Sequence, residues 1–445
     1  MKSLFILSVF SVVLFANPYP DPKAVPKDPL YKETPTILKR ISAEELRNRG
    51  SQVIRVDISW HPTEIYKVER IAIENSGTEA FVARSTKKPA LGSYLGELQS
   101  KKNPRTIYYD SVGTGSELRL LTRGMTFRFP MQEELSEFTL AVEDPKTGKM
   151  LKTLTVEVDP KDLKELPTIS PEIREMKKAT LTPALKFNIY SDGYVPSRGG
   201  TSDAFFASAK RVVETLQKNK FPGFERFEIV AVFVPSKVAL GTAKNLGLPV
   251  KTRDSFLGLY YPYWNNFGRW YNIVYPTSES KFRDGVGIIP YDYPLILIDN
   301  ADYWGIGNFN VFTAIPTRHS AFTYLLTHEL GHFFGLNEEY EMGGRTELAF
   351  SPAIEEPWSQ NITFHPKRGE LKWEFLVDSA TKLPTPHSEW GSSGPLGAYR
   401  GGYAQTEPFN KSHKPGNSCT MSSGTRFCAV CEKAMNEKID WDTGH

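Results

Sequence analysis

The sequence predicts two architectures in series: a small antiparallel β-sandwich, then a larger α/β layer with a mostly parallel twisted sheet and a site-bearing helix. Three observations carry this expectation. Short alternating strands separated by turn residues fill residues 51–160, as in an antiparallel domain. A charged stretch broken by Pro160, Pro167, Pro171 and Pro183 marks a linker over 161–183. Through 184–445, apolar runs alternate with helical periodicity, the pattern of an α/β layer.

The chain has 445 residues, enough for two or three domains. Apolar residues make up 40% and charged residues 24%, which excludes a disordered or collagen-like chain. Lysine and arginine number 54 against 51 acidic residues, a net charge of +3. That balance is too even for a polybasic nucleic-acid binder. Residues 1–16 combine Lys2, an apolar run and a small residue, Ala16. They read as a secretory signal, too short for a spanning helix of about 20 residues. The expected location is therefore secreted or periplasmic, without stable membrane insertion, since no later stretch is long and apolar enough to span.

Residues 17–50 form an N-terminal arm, rich in Pro and Lys over 17–33. Ordered structure is expected from Ser51, where Ile54, Val56 and Ile58 alternate with Arg55, Asp57 and Ser59 as in a half-buried strand. Strand candidates follow at 68–74, 126–129, 138–142 and 154–158, with turn chemistry at 144–148. His61, the single histidine of this block, reads as a packing or surface residue. Beyond the linker, 185–190, 227–234 and 294–298 are apolar runs, and 309–314 is a more exposed strand. Ser202 can cap a helix that gathers Phe205, Ala209, Val212, Val213 and Leu216 on one face. Residues 238–282 are aromatic and irregular and take no assignment.

The chemistry concentrates in Thr327-His328-Glu329-Leu330-Gly331-His332, on a helix that Ser320 can cap. His328 and His332 stand at i and i+4, so both imidazoles leave one helix face. Two such imidazoles can share one Zn2+ at about 2.0–2.1 Å. Glu329 can reach water activated by that metal and remove its proton during attack on a carbonyl. Gly335, three residues on, suits the left-handed turn that ends a helix. Glu338 stands three residues beyond and is the candidate third ligand, with Glu339 its rival. A ligand from a later helix would have to be Glu355 or Glu356, which Pro352 and Pro357 flank. His319, His365, His387, His413 and His445 lack ligand spacing and are expected to be exposed. Residues 309–314 are placed to pair with an extended peptide by strand addition.

The order H-E-x-x-H-x-x-G-x-x-ligand resembles the metzincin metallopeptidases, with Glu338 where that clan has His or Asp. Cys419-Thr420-Met421, Phe427-Cys428-Ala429-Val430-Cys431 and Glu338-Glu339-Tyr340 narrow the resemblance to the IgA-peptidase-like zinc metallopeptidases, peptidase family M64. Asp192-Gly193-Tyr194, Val234-Pro235-Ser236, Leu383-Pro384-Thr385-Pro386, Gly401-Gly402-Tyr403 and Phe127-Arg128-Phe129-Pro130 are further echoes. The resemblance implies a metzincin-like catalytic domain and a secreted zinc metalloendopeptidase. His328, His332 and Glu338 would hold zinc, with Glu329 as general base and Met421 beneath the metal. A protein or peptide is the implied substrate, and IgA is not, because one member's target does not transfer. Metzincins often carry Tyr two residues past the Met, where this chain has Ser423, so Tyr340, Tyr399 and Tyr403 stand as unranked oxyanion stabilisers. The rival class is a surface adhesin or glycan-binding protein with a structural zinc, against which Glu329 counts.

All three cysteines lie at 419–431. In an oxidising compartment they allow one disulfide, from Cys419 to Cys428 or Cys431, and one free thiol. Half a zinc ribbon or a redox pair is the alternative use of Cys428-x-x-Cys431. Asn361-Ile362-Thr363 and Asn410-Lys411-Ser412 fit the N-glycosylation triplet.

Overall fold

A computed structural model of the chain describes residues 40–60, 66–113, 123–144, 147–163, 169–240, 255–260, 274–340, 356–389, 394–402, 411–416 and 418–444. The signal segment, His61, Glu355, Tyr403, Asn410 and His445 lie outside the described residues. The fold is mixed α/β, with several sheets whose pairings are mostly antiparallel.

Described structure starts earlier than the sequence suggests. Ile41 donates its amide to Ile173, and helix α1, Ala43–Arg47, follows with Ser42 as its N-cap. Strands β1 (Ser51–Trp60), β2 (Tyr66–Gly77) and β5 (Arg123–Pro130) form one antiparallel sheet, order β2-β1-β5. Helix α2, Glu79–Ser85, follows β2 and precedes β3 (Tyr94–Ser100) in the chain. Strands β3, β4 (Ile107–Val112), β6 (Ser136–Glu143) and β7 (Met150–Val158) form a second sheet, order β4-β3-β6-β7. Phe127 and Phe129 of β5 each meet Phe138 of β6 at 5.8 Å between ring centroids, so the two sheets share apolar contacts.

The polar face of β1 departs from the expectation of a half-buried strand. Arg55 and Asp57 are fully buried. Arg55 bonds Asp57 at 2.9 Å, Glu74 at 2.7 Å and Asp284 at 2.8 Å. Asp284 sits on helix α4, Glu279–Val286, after α3 (Ser202–Lys218). The cluster therefore ties α4 onto β1 and β2, and three carboxylates neutralised by arginine replace the solvent expected there.

The stretch expected as a linker carries strand β8, Glu172–Lys177, with Ile173 and Met176 turned inward. It pairs antiparallel with β10 (Phe227–Phe233) at one edge of a six-stranded sheet. The remaining members are β9 (Leu185–Asp192), β13 (Tyr293–Ile298), β14 (Ile306–Asn308) and β15 (Phe312–Pro316). Between β10 and β13 in chain order, β11 (Leu259–Tyr260) and β12 (Tyr275–Pro276) form a separate short pair. The six-strand order is β14-β15-β13-β9-β10-β8, parallel from β15 to β10 and antiparallel at both edges. The run expected as one strand over 309–314 is instead a turn into β15, and β14 is the strand at that edge.

Both faces of this sheet are covered, which explains strands without alternation such as Tyr-Pro-Leu-Ile-Leu-Ile, buried at every position. Phe187, Ile189, Leu295 and Leu297 pack against α3, helix α5 (Phe322–Phe333) and helix α6 (Ala429–Asp442). Tyr190, Val232, Ile296 and Ile298 belong to the apolar cluster that includes Ile54, Phe127 and Phe138. Short strands β16 (Tyr399–Arg400) and β17 (His413–Lys414) pair near the C-terminus. Thr201, not Ser202, caps α3, its hydroxyl accepting from Ala204. The helices position the site from one side of the sheet, and β14 crosses it from the edge.

Arg55→Met should lower the unfolding free energy by about 3–5 kcal/mol, because the buried carboxylates of Asp57 and Glu74 lose their partner. Urea unfolding followed by far-ultraviolet circular dichroism reads this. A loss below about 1 kcal/mol, within the uncertainty of the extrapolation, would mean the cluster is dispensable.

Candidate metal centre

Helix α5 has no side-chain cap: its N-cap residue is Ala321 rather than Ser320, and His319 Nδ1 accepts from the Ala321 amide at 3.0 Å just before the helix. Leu325, Leu326, Leu330 and Phe333 bury one face against the sheet. His328 and His332 leave another, their Nε2 atoms 3.2 Å apart and their rings perpendicular.

The helix ends in a Schellman turn. Gly335 has φ +93°, its amide donates to His332 at 2.9 Å, and the Leu336 amide reaches Gly331 at 3.0 Å. An L side chain would strain that φ. The turn does two things. It points the Leu336 carbonyl at His332 Nδ1, 2.9 Å away. It also doubles the chain back so that Glu338 lies 3.1 Å from His332 Nε2 and 3.3 Å from His328 Nε2. Asn361 braces the returning chain: its Oδ1 accepts from the Asn337 amide, and its Nδ2 donates to Asn337 O, each at 2.8 Å.

His328 is held from the other side. Its Nδ1 faces the Thr420 carbonyl at 3.0 Å. Residues 419–424 turn tightly there, since the amides of Ser422, Ser423 and Gly424 all donate to Cys419 O. Met421 is fully buried and packs on Gly331 of α5. Its carbonyl accepts from the Glu339 amide at 2.8 Å. Each imidazole thus has Nδ1 engaged by a backbone carbonyl, which leaves Nε2 as the donor toward the shared centre.

His328 and Glu338 are buried, and their charges support each other. Burial alone would raise the Glu338 pKa, but the His332 and His328 imidazoles outweigh it and hold the carboxyl well below the ordinary range. Burial likewise works against charged His328, and Glu338 overcomes it and raises the imidazole. A cation would take the place of those imidazole protons. His328, His332 and Glu338 form one of two clusters among the described residues with metal-ligand composition. The ligand-to-ligand spacings of 3.1–3.3 Å compare with about 3.3–3.4 Å for the edges of a tetrahedral zinc site with Zn–N near 2.05 Å.

Glu339 goes elsewhere. It is fully buried, its Oε1 lies 3.0 Å from Cys431 Sγ and 3.0 Å from Asn361 Nδ2, and burial pushes its carboxyl up to about 8. Glu329 follows His328 and sits under the Gly305-Ile306-Gly307 crossing. A Cβ at Gly305 would collide with the Glu329 carboxylate, and one at Gly307 with the Glu329 carbonyl. The two glycines therefore let β14 lie directly on α5 beside the general-base candidate.

The other candidates separate. Glu356 pairs with Lys372 at 2.9 Å. His365 and His387 are exposed, whereas His319 and His413 are half-buried. The Tyr399 hydroxyl bonds the carbonyls of Pro395 and Glu389. Tyr340 stacks on His328 at 6.1 Å. Tyr324, which the sequence reading did not single out, stacks on His328 at 5.3 Å and donates to Ser422 O at 3.2 Å. Its position four residues before His328 was the available signal. Asn361, read as a glycosylation triplet, is fully buried and consumed by the loop. The expected disulfide is not formed: Cys419, Cys428 and Cys431 are all free thiols.

The Asp192-Gly193-Tyr194 echo has a structural use. Asp192 at the end of β9 accepts from the amides of Leu257 and Leu259, and the Gly193 amide donates to Ser236 Oγ at 3.0 Å.

Glu338→Ala removes one of three converging donors. Zinc affinity of this site should fall by more than the about 10–100-fold that loss of an outer-sphere partner costs, read by competition with a chromophoric chelator. Parent affinity would contradict the assembly of these three groups around a cation.

Comparison with known families supplies a match over residues 173–393 to the model described as IgA Peptidase M64, so the resemblance read from the sequence holds there. It is a peptidase family, with hydrolysis as its reaction class. The match includes α5 and Glu338; Met421 and the cysteines lie beyond it. No curated protein matches the chain.

Proposed function

With residues 173–393 matching a peptidase family, we propose that this chain is a zinc-dependent metalloendopeptidase that acts outside the cytoplasm on protein or peptide substrates. One observation carries the reading: three side chains of the right chemistry, His328, His332 and Glu338, sit at tetrahedral spacing on either side of one helix turn. Two imidazoles and a carboxylate suit zinc, and three protein ligands leave a fourth position for chemistry. The accompanying fold reading is a metzincin-like catalytic domain preceded by an antiparallel sandwich. Residues 1–16 serve as the export signal.

When bound, zinc supplies Lewis acidity that activates water and polarises the scissile carbonyl. The chain's own groups do the rest. Glu329, adjacent in sequence to His328 but outside the ligand triad, accepts the proton of the attacking water. It then returns that proton to the leaving amine. Thr420 O and Leu336 O keep the two imidazoles oriented throughout. Strand β14 stands at the sheet edge and packs on Glu329 through its Gly307 and through Gly305, which precedes it. An extended substrate that adds to this edge would run past the general base, with main-chain hydrogen bonds holding it in register. That mode of binding suits cleavage within a chain.

Glu329→Gln keeps every metal ligand and removes only proton transfer. The turnover number on a peptide library should fall by about 10²–10⁴-fold, with bound zinc unchanged by elemental analysis. Cleavage at the parent rate by this variant would end the peptidase assignment. A strong chelator should abolish the parent's activity, and added zinc should restore it.

A further inference from the structure

We propose a second metal site in this chain: a structural zinc–thiolate centre formed by Cys419, Cys428, Cys431 and Glu339. It is separate from the His328–His332–Glu338 cluster and does not depend on the peptidase reading.

The four ligand atoms all lie within 4.8 Å of one another. Cys419 Sγ and Cys431 Sγ are 3.6 Å apart. A disulfide would need about 2.05 Å, whereas the edge of a tetrahedral site with Zn–S near 2.3 Å is about 3.8 Å. The spacing is that of two sulfurs around a common ion. Glu339 Oε1 stands 3.0 Å from Cys431 Sγ, and the Cys428 amide faces Cys419 Sγ at 3.5 Å.

A second, independent observation points to a ligand. Glu339 is fully buried, as are Cys419 and Cys431. Its Oε2 has no hydrogen-bond partner. A carboxylate oxygen buried without a partner costs stability that a cation would recover. One disulfide would not help it, and would strand the third thiol in the same apolar surroundings.

The sequence layout fits zinc. Cys428 is the N-cap of α6 and Cys431 lies in its first turn, so a Cys-x-x-Cys pair opens a helix whose amides favour thiolate. Cys419 comes from the Met421 turn and Glu339 from the chain after Gly335, a fourth ligand that no local spacing reveals. Three thiolates and one carboxylate carry the same charge as the familiar four-cysteine zinc site. The buried Lys414 ammonium, which donates to the Glu339 carbonyl, offsets part of it.

The location gives the site its purpose. Adjacent residues would hold two metals, Glu338 on one side of the chain and Glu339 on the other. The second ion would clamp the Glu338 loop, the Met421 turn and α6 together. Both elements that orient His328 and Glu338 would then be cross-linked through a closed, four-ligand centre of the structural kind.

The test is metal content and cobalt spectroscopy on the purified full chain. The parent should carry two zinc ions, and His328→Ala/His332→Ala should retain one. No sulfur belongs to the first site, so cobalt-substituted parent should show a thiolate-to-cobalt charge-transfer band. Cys428→Ser and Cys431→Ser should abolish that band. All three thiols should resist a thiol reagent until a strong chelator is added. A cobalt-loaded parent without the band, or a mapped disulfide among the three cysteines, would overturn the proposal. Either result leaves zinc at His328 and His332, and hence the peptidase reading, standing.

Discussion

The candidate site depends on one turn of backbone. Helix α5 must stop after His332 and reverse, and Gly335 makes that possible by taking φ +93°. The reversal supplies a carbonyl to His332 and delivers Glu338 beneath both imidazoles. Without it, two histidines at i and i+4 would be a pair of donors on a helix face. With it, they converge with the oppositely charged Glu338 into a group of three that could hold a cation. The 419–424 turn is the counterpart from the opposite side, reaching His328 through Thr420 O and Glu339 through Met421 O.

The rest of the fold keeps those two turns in place. The six-stranded sheet is buried on both faces, by helices α3, α5 and α6 on one and by the antiparallel strands of the N-terminal half on the other. Apolar runs along β9, β10 and β13 follow directly, because no face is left for water. The Arg55 cluster bonds β1 and β2 to α4, far along the chain. Asn361 does the same at short range for the loop that carries Glu338. Such braces are polar, buried and matched, so they add specificity of position where apolar packing alone would permit sliding.

What could be read from the sequence was whatever is local. The i, i+4 histidines, the glycine three residues on and the acidic residue beyond lie within eleven positions, and periodicity alone relates them. The apolar strands were legible for the same reason. Strand β8 was not, because its two buried apolar residues, Ile173 and Met176, are three apart and join different apolar clusters, so no period-2 pattern stands out among the surrounding prolines and charges. Strand β3 was missed because Gly96 interrupts its pattern, a glycine that Phe127 presses against from the other sheet. The roles of Arg55, Asn361 and Glu339 are set by partners distant in sequence, and spacing holds no trace of them. The cysteines show this most clearly. Counted alone, three thiols suggest one bridge; placed beside a buried glutamate, they make a fourfold donor set.

The most direct measurement of the central claim is an anomalous difference map at the zinc edge from crystals of the parent chain. A zinc held by these three groups would give a peak between His328 Nε2, His332 Nε2 and the Glu338 carboxylate, with Glu329 outside the coordination sphere. No peak there, or one ligated by Glu339 in place of Glu338, would contradict it.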